Sequence, residues 1–175
     1  MRVEIADAAG MEEFGRDLGA RLRAGDLLIL AGPLGAGKTT LTRGIGAGLG
    51  VRGPVQSPTF VLARTHPSLV GGAPLVHVDA YRLGSAELVE DLDLDFAGSV
   101  VVVEWGEGLL DGVSESWLEV GIERPRGAGE APDAAQSADG LDDADAEFLG
   151  VDEPRIVSLR GFGPRWADTA YADPR

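Results

Sequence analysis

The chain has 175 residues, 44% of them hydrophobic, which is enough for one well-packed domain and short for two. It contains no cysteine, and this excludes a disulfide framework, a cysteine-ligated zinc site and thiol catalysis. No apolar run approaches the roughly 18–20 residues that span a bilayer, and the first residues lack the apolar stretch of a signal peptide. We therefore expect a cytoplasmic protein without a membrane partner.

The net charge of −14 is unevenly distributed along the chain. Residues 125–153 hold nine acidic groups and one basic group, a local sum of −8, so the remainder carries −6. Because contacts to phosphates need Lys and Arg, this acidity argues against direct binding of a nucleic-acid backbone. The composition of residues 125–153 favours a disordered insertion in a hairpin over an acidic interaction segment. We expect one domain over residues 1–175 that carries this insertion.

The predicted elements alternate between helix and strand. In chain order they are a helix through Met11–Leu22 that ends at Gly25-Asp26, a strand at Leu27–Ala31, a helix at Lys38–Leu49 capped by Gly50, strands at Phe60–Ala63, Leu75–Val78 and Val100–Val103, and a short helix at Ala86–Asp91. Alternating residues at 117–122 and 155–160 predict half-exposed antiparallel strands. Three glycines weaken the second helix on propensity alone. The pattern predicts an α/β fold with a mostly parallel central sheet, antiparallel C-terminal strands and flanking helices.

A phosphate-binding motif lies between the first predicted apolar strand and the second predicted helix. Gly32–Thr39 matches G-x-x-x-x-G-K-[ST] in full. Its inner glycines let the backbone wrap around phosphates with N–H groups pointing inward, and the helix aims its positive end at the same point. Lys38 supplies a cation for the β- and γ-phosphates, Thr39 a hydroxyl for Mg²⁺, and Thr40 a further contact. The motif predicts binding of ATP with Mg²⁺.

A site of this kind also needs a carboxylate at the end of a neighbouring strand to hold the metal, directly or through water. Glu104 and Asp79 each follow an apolar strand, so both should lie at the carboxyl edge of the sheet beside the loop. Their spacing does not rank them. Metal-assisted hydrolysis of the γ-phosphate would then have Asp79 or Glu104 orient the attacking water.

Two further positions near this edge have competing explanations. Ser57–Phe60 follows the second helix, where a similar connection in nucleotide switches brings a Thr hydroxyl, here Thr59, to the metal and γ-phosphate. An ordinary proline turn before a strand explains this segment equally well. His77 alternates with its valine neighbours and faces the side of Asp79, and a lone histidine in a strand is more often packed and hydrogen-bonded than a ligand.

Four motifs occur together in the order of a known family. They are Pro33–Thr40, Ser57–Phe60, His77–Arg82 and Val103–Trp105. The chain resembles the TsaE family, formerly YjeE, of small bacterial ATPases in the threonylcarbamoyladenosine pathway of tRNA, over about residues 1–124 and again at the last strand. The resemblance implies a P-loop NTPase-like fold and work with TsaD and TsaB on the adenosine beside the anticodon, in tRNAs that read codons beginning with A. The tRNA is then reached only through these partners.

The resemblance also implies roles for individual residues. It assigns the metal to Thr39 and Glu104, a part in hydrolysis to Asp79, and a place beside the site to Trp105, while Thr59 matches a switch-like threonine. With Lys38, the carboxylates Asp79 and Glu104 form the implied catalytic set. The implied nucleotide-binding residues are Leu34, Gly35, Ala36, Gly37, Lys38, Thr39 and Thr40, with Glu12 as a candidate near the adenine. One departure is Pro33, which stands where the family has an acidic residue.

Other functions remain open from the sequence. The main alternative is a small-molecule P-loop kinase, although no compact Arg-rich lid follows the P-loop domain. A GTPase-like switch is disfavoured because the chain contains no asparagine and so cannot carry the guanine-reading N-K-x-D motif. A binding module, in which nucleotide occupancy only gates docking, overlaps the favoured function.

Overall fold

The computed structural model describes residues 1–58, 61–82, 94–106, 108, 113–124 and 153–173. The elements in chain order are β1 (Arg2–Ile5), α1 (Ala8–Gly19), β2 (Leu27–Ala31), α2 (Lys38–Leu49), β3 (Ala63–His66), β4 (Leu75–Asp79), a 3₁₀ turn (Ala80–Arg82), β5 (Val100–Glu104), β6 (Trp117–Glu123) and β7 (Arg155–Phe162). The Asp7 side chain caps α1 by accepting from the Gly10 N–H at 2.7 Å. Gly50 ends α2 in the left-handed conformation, with φ +67°.

The described strands form one mixed sheet in the order β1-β7-β6-β2-β5-β4-β3. Strands β6, β2, β5 and β4 are parallel, whereas β7 runs antiparallel to β6 and β1, and β3 runs antiparallel to β4. This confirms the predicted α/β class with a parallel centre, antiparallel C-terminal strands and flanking helices. Because β2 lies between β6 and β5, the segment that follows β2 emerges at the middle of the carboxyl edge.

The central strand β2 contributes to a core on each face of the sheet. Leu28 and Leu30 pack with residues of α1 and α2, while Leu27 and Ile29 belong to a second cluster on the opposite face. A strand buried on both sides needs a continuous apolar run rather than an alternating one. Because α1 and α2 both pack in the cluster of Leu28 and Leu30, the two described α-helices lie on one face of the sheet. No helix among the described residues is long and apolar enough to cross a membrane.

The two helices approach each other at glycines. A Cβ atom placed on Gly44 of α2 would lie 2.2 Å from the Glu12 carbonyl oxygen, and one on Gly48 would lie 2.2 Å from the Arg16 carbonyl oxygen. From the other side, a Cβ on Gly15 of α1 would lie 2.4 Å from the Leu41 carbonyl oxygen. Side chains at these positions would have to displace backbone. The glycines that weaken α2 as an isolated helix thus let α1 pack directly against it.

The strand predicted at Phe60–Ala63 was placed too early in the chain. Val61 and Leu62 form a turn in which both backbone N–H groups donate to the Pro58 carbonyl, at 2.9 and 2.8 Å. Leu62 also has φ +63°, which a strand cannot accommodate. The turn moves the start of β3 to Ala63. The first helix differs as well, because it begins at Ala8 and ends at Gly19 instead of extending to Leu22.

Other parts of the prediction are incomplete or lie outside the described residues. Strand β1 was not predicted; it pairs with β7, and its four residues are too few to show a clear alternation. The short helix expected at Ala86–Asp91 lies outside the described residues, as do residues 125–152. The ends of that acidic segment are nevertheless adjacent, because β6 and β7 pair and Arg124 Nη2 lies 2.7 Å from Glu153 Oε2. Residues 125–152 therefore connect the two strands of a hairpin.

We predict that Gly44→Ala destabilises the protein by about 1–3 kcal/mol, because the added methyl group must push the two helix backbones apart. Gly121→Ala is the matched control, since a Cβ at Gly121 meets nothing within 4 Å. Urea unfolding followed by circular dichroism measures both changes. Equal stability of the two variants would contradict the direct backbone contact between α1 and α2.

Candidate nucleotide-binding site

The loop between β2 and α2 depends on glycines in conformations that other residues rarely adopt. Gly32, Gly35 and Gly37 have φ values of +149°, +71° and +105°. Gly32 also has no space for a side chain, because a Cβ there would lie 2.6 Å from the Ile122 carbonyl oxygen in β6. Gly37 directly precedes the first turn of α2, whose backbone N–H groups are unpaired within the helix. The loop therefore encloses the positive end of α2.

Lys38 lies inside this loop and is the only lysine of the chain, all the other basic residues being arginines or histidines. It is 5% exposed, and its Nζ donates to the carbonyl oxygens of Gly32 at 3.0 Å and Pro33 at 3.1 Å. The same Nζ lies 3.8 Å from the centroid of the Trp105 ring. The ammonium group is thus held between the loop backbone and an aromatic face.

Trp105 reaches this position through an unusual backbone turn at the end of β5. Its N–H continues the sheet by donating to the Leu30 carbonyl at 3.1 Å, but its φ is +61°. A left-handed conformation in a non-glycine residue costs about 1–3 kcal/mol and is concentrated at functional sites. Tyr81, which is largely exposed, packs at a ring-centroid distance of 5.4 Å from Trp105. The structure therefore places the Trp105 ring beside the loop, against Lys38.

Glu104 and Asp79 are direct partners in the register of β5 and β4, at the carboxyl edge beside the loop. Their contacts distinguish them. Glu104 is 5% exposed and its Oε1 accepts from Thr39 Oγ1 at 3.3 Å, which links β5 to the first turn of α2. Asp79 Oδ1 instead accepts from the Tyr81 N–H at 3.0 Å and so caps the 3₁₀ turn. Glu104 is thus linked directly to Thr39 at the start of α2.

His77 is buried and hydrogen-bonded, as its position in an apolar strand indicated. Its Nε2 lies 2.7 Å from Glu104 Oε1. The sequence did not reveal this partner, because alternation along β4 shows which face His77 occupies but not which residue of β5 lies beside it. The sequence did indicate that His77 and Asp79 lie on the same face of β4, near the carboxyl edge where Glu104 was also expected.

The remaining predicted residues occupy different surroundings. Leu34 is 52% exposed at the tip of the loop, whereas Ala36 and Thr40 are buried beneath it. Glu12 is half-buried on α1, and its neighbour Met11 lies beside Gly37, within 3.6 Å of where a Cβ would be. Helix α1 therefore borders the loop, and the contact by Met11 was missed by the sequence analysis. Thr59 lies outside the described residues.

The oxygen atoms at this edge suit a magnesium ion that arrives with a nucleotide. Mg²⁺ in such sites takes one or two protein oxygens and completes its shell with phosphate and water. The Thr39 hydroxyl and the Glu104 carboxylate supply oxygens of this type, already adjacent to each other. The described residues contain no cluster of three or more His, Asp or Glu side chains that could hold a metal by themselves. The Thr39 and Glu104 oxygens therefore fit an Mg²⁺ ion shared with phosphate.

The central strand of the parallel part of the sheet leads through a glycine-rich loop into a helix, and the adjacent strand ends in a carboxylate. These features define an α/β protein of the phosphate-binding-loop class. The family model described as "Threonylcarbamoyl adenosine biosynthesis protein TsaE" matches residues 5–130. The chain belongs to the TsaE family, and the resemblance seen in the sequence is confirmed.

Relatives and a solved structure agree with this assignment. A Streptomyces coelicolor protein named "tRNA threonylcarbamoyladenosine biosynthesis protein TsaE" is 54% identical over 160 residues, which cover 90% of this chain and 94% of the relative. A Bacillus subtilis protein of the same name is 41% identical over 105 residues, covering 58% and 64% respectively. The crystal structure of Bacillus subtilis YdiB superposes with a TM-score of 0.60 at 27% identity and covers 93% of this chain and 83% of that one.

The contact between Lys38 and Trp105 leads to an optical prediction. A phosphate group that enters the loop competes for the Lys38 ammonium and draws it from the indole ring, so we expect ADP with Mg²⁺ to change tryptophan emission. Trp105→Phe should abolish the change, whereas Trp117→Phe, remote from Lys38, should retain it. An unaltered response in Trp105→Phe would contradict the placement of the ring beside the phosphates.

Proposed function

We propose that this protein binds ATP with Mg²⁺ in the loop between β2 and α2 and hydrolyses it. The observation that carries the proposal is the meeting of Lys38, Thr39 and Glu104 at one edge of the sheet. This arrangement places a cation, a hydroxyl and a carboxylate around the positive end of a helix, as transfer of a phosphoryl group requires.

Phosphate binding begins with the backbone. The positive φ values of the loop glycines bend the backbone around the start of α2, and the first turn of α2 adds N–H groups that have no partner within the helix. Lys38 exchanges the Gly32 and Pro33 carbonyls for phosphate oxygens, to which a hydrogen bond from an ammonium group is stronger because both partners are charged. The loop carbonyls thus keep the cation in place until a nucleotide replaces them.

Hydrolysis needs an attacking water molecule oriented towards the γ-phosphate. When bound, Mg²⁺ neutralises the charge that develops on the phosphate oxygens, and Thr39 and Glu104 are the residues that would hold it. Because Thr39 and Glu104 are assigned to the metal, we assign the orientation of the water to Asp79, the register partner of Glu104 at the same edge of the sheet. Thr59 is retained in the proposal as the switch-like residue of the connection from α2 to β3.

We further propose that ATP hydrolysis supports threonylcarbamoylation of the tRNA adenosine beside the anticodon, together with TsaD and TsaB. The names of the relatives in Streptomyces coelicolor and Bacillus subtilis place those proteins in this biosynthesis. The net charge of −14 supports an indirect role, because the 29 acidic residues outnumber the 15 Lys and Arg residues and disfavour contact with an RNA backbone. The tRNA is then held by the partners.

A lysine-directed derivative of ATP tests the site itself. An acyl-phosphate ester of ATP transfers its acyl group to an amine held near the phosphates, and Lys38 is the only lysine side chain available. We predict acylation of Lys38, detected by peptide mass spectrometry, and its suppression by excess ATP but not by excess GTP. Absence of acylation at Lys38, with the N-terminal amine modified at an unchanged rate in the presence of ATP, would contradict nucleotide binding in the loop.

Lys38→Ala tests whether the site serves tRNA modification. We predict that the variant binds ATP at least about tenfold more weakly, since a hydrogen bond to a charged group contributes about 1.5–3 kcal/mol. It should also fail to support repeated threonylcarbamoylation of tRNA by TsaD and TsaB. Arg64→Ala, which removes an exposed cation from β3, is the matched control. Full modification activity with Lys38→Ala would contradict the proposal.

The kinase alternative has its own test. Phosphoryl transfer from ATP to a metabolite in the absence of TsaD and TsaB would favour it.

A further inference from the structure

His77 is a buried polar residue to which the proposed hydrolysis gives no direct part. Its side chain is 0% exposed, and β4 places it opposite Val102 of β5, on the sheet face that α1 and α2 cover. An imidazole ring enclosed by apolar residues is unfavourable unless its polar atoms are paired. The hydrogen-bond partner of His77 therefore indicates why a histidine occupies this buried position.

That partner is Glu104 alone. The Nε2 atom of His77 lies 2.7 Å from Glu104 Oε1, whereas Nδ1 has no hydrogen-bond partner in the described part of the chain. A carboxylate oxygen accepts, so the tautomer that fits this contact carries its proton on Nε2, which donates. Leaving Nδ1 as a bare acceptor is less unfavourable than burying an unpaired N–H group. The orientation of the ring is thus set by Glu104.

The contact fixes one oxygen of the carboxylate. Oε1 of Glu104 accepts from His77 on β4 and from Thr39 on α2, so it is held from two elements. Oε2 takes part in no hydrogen bond within the described residues, and it is therefore the oxygen left for a ligand. A buried carboxylate with one oxygen anchored has little freedom to rotate, and it loses less entropy when a cation binds.

We infer that His77 is a positioning residue for Glu104, which it holds ready for the Mg²⁺ that accompanies the nucleotide. This inference rests on the proposed function and adds a residue to it. In this assignment His77 is not a ligand itself, and it acts on Glu104 through Nε2. A residue that merely filled space in the core would not need a donor at that atom.

Two substitutions separate a positioning role from packing. The amide nitrogen of glutamine occupies the place of imidazole Nε2, whereas that of asparagine occupies the place of Nδ1, where the structure offers no partner. Calorimetric titration with a non-hydrolysable ATP analogue, with and without Mg²⁺, gives the gain in affinity that Mg²⁺ provides. We predict that His77→Gln keeps the gain of the wild type and that His77→Asn lowers it about 10- to 100-fold, the usual effect of losing such a partner.

The control is the other histidine of the chain. His66 in β3 is also buried, but its Nδ1 contacts the Arg52 carbonyl at 3.1 Å, away from Glu104. His66→Gln should therefore leave the Mg²⁺ gain unchanged. An equal gain in His77→Gln and His77→Asn would overturn the inference while the proposed function stands. If the wild-type protein does not bind the analogue at all, the proposed function fails and the inference fails with it.

A measurement on the wild-type imidazole covers the case in which His77→Asn does not fold. Long-range ¹H–¹⁵N correlation spectra of the ligand-free, ¹⁵N-labelled protein report which ring nitrogen carries the proton. The chain has two histidines, so His66→Gln leaves the His77 signals alone in the spectrum. A proton on Nε2 supports donation to Glu104, and a proton on Nδ1 only would overturn the inference.

Discussion

The carboxylate of Glu104 joins three elements at the carboxyl edge of the sheet, and the candidate site depends on it. It ends β5, accepts from Thr39 at the start of α2, and accepts from His77 in β4. Because it is buried, its oxygen atoms need hydrogen-bond partners within the protein. The same contacts link the start of α2 to β5 and β4 through Oε1, and Oε2 takes part in neither of them.

The position of α2 depends on a second constraint, the contact between helices. Gly44 and Gly48 let the backbone of α1 approach so closely that a single methyl group would collide with carbonyl oxygens. Helix α1 consequently packs beside the loop, where Met11 faces Gly37. The loop that encloses Lys38 is thus supported on one side by Glu104 and on the other by α1. The glycines lower the intrinsic helix propensity of α2, but they permit its close contact with α1.

Local pattern was sufficient for much of this architecture. The bounds of β2 and α2 and the cap at Gly50 were predicted correctly, because an apolar run and a capping glycine are local signals. β1 was missed, and the strand at Phe60–Ala63 was misplaced, because pairing with β7 and the turn after Pro58 depend on distant or unusual backbone geometry. The sequence could not rank Asp79 against Glu104 either. The contact between Thr39 and Glu104 joins residues that are 65 positions apart, and it depends on how β5 lies beside the start of α2.

The most direct test of the central claim is ATP hydrolysis by the purified protein, alone and with TsaD and TsaB, beside GTP as a control. The proposed function predicts hydrolysis that requires Mg²⁺, is selective for ATP and rises when both partners are present, and the chain belongs to the TsaE family. An activity that is indifferent to the partners, or that prefers GTP, would contradict the proposal that this loop serves tRNA threonylcarbamoylation.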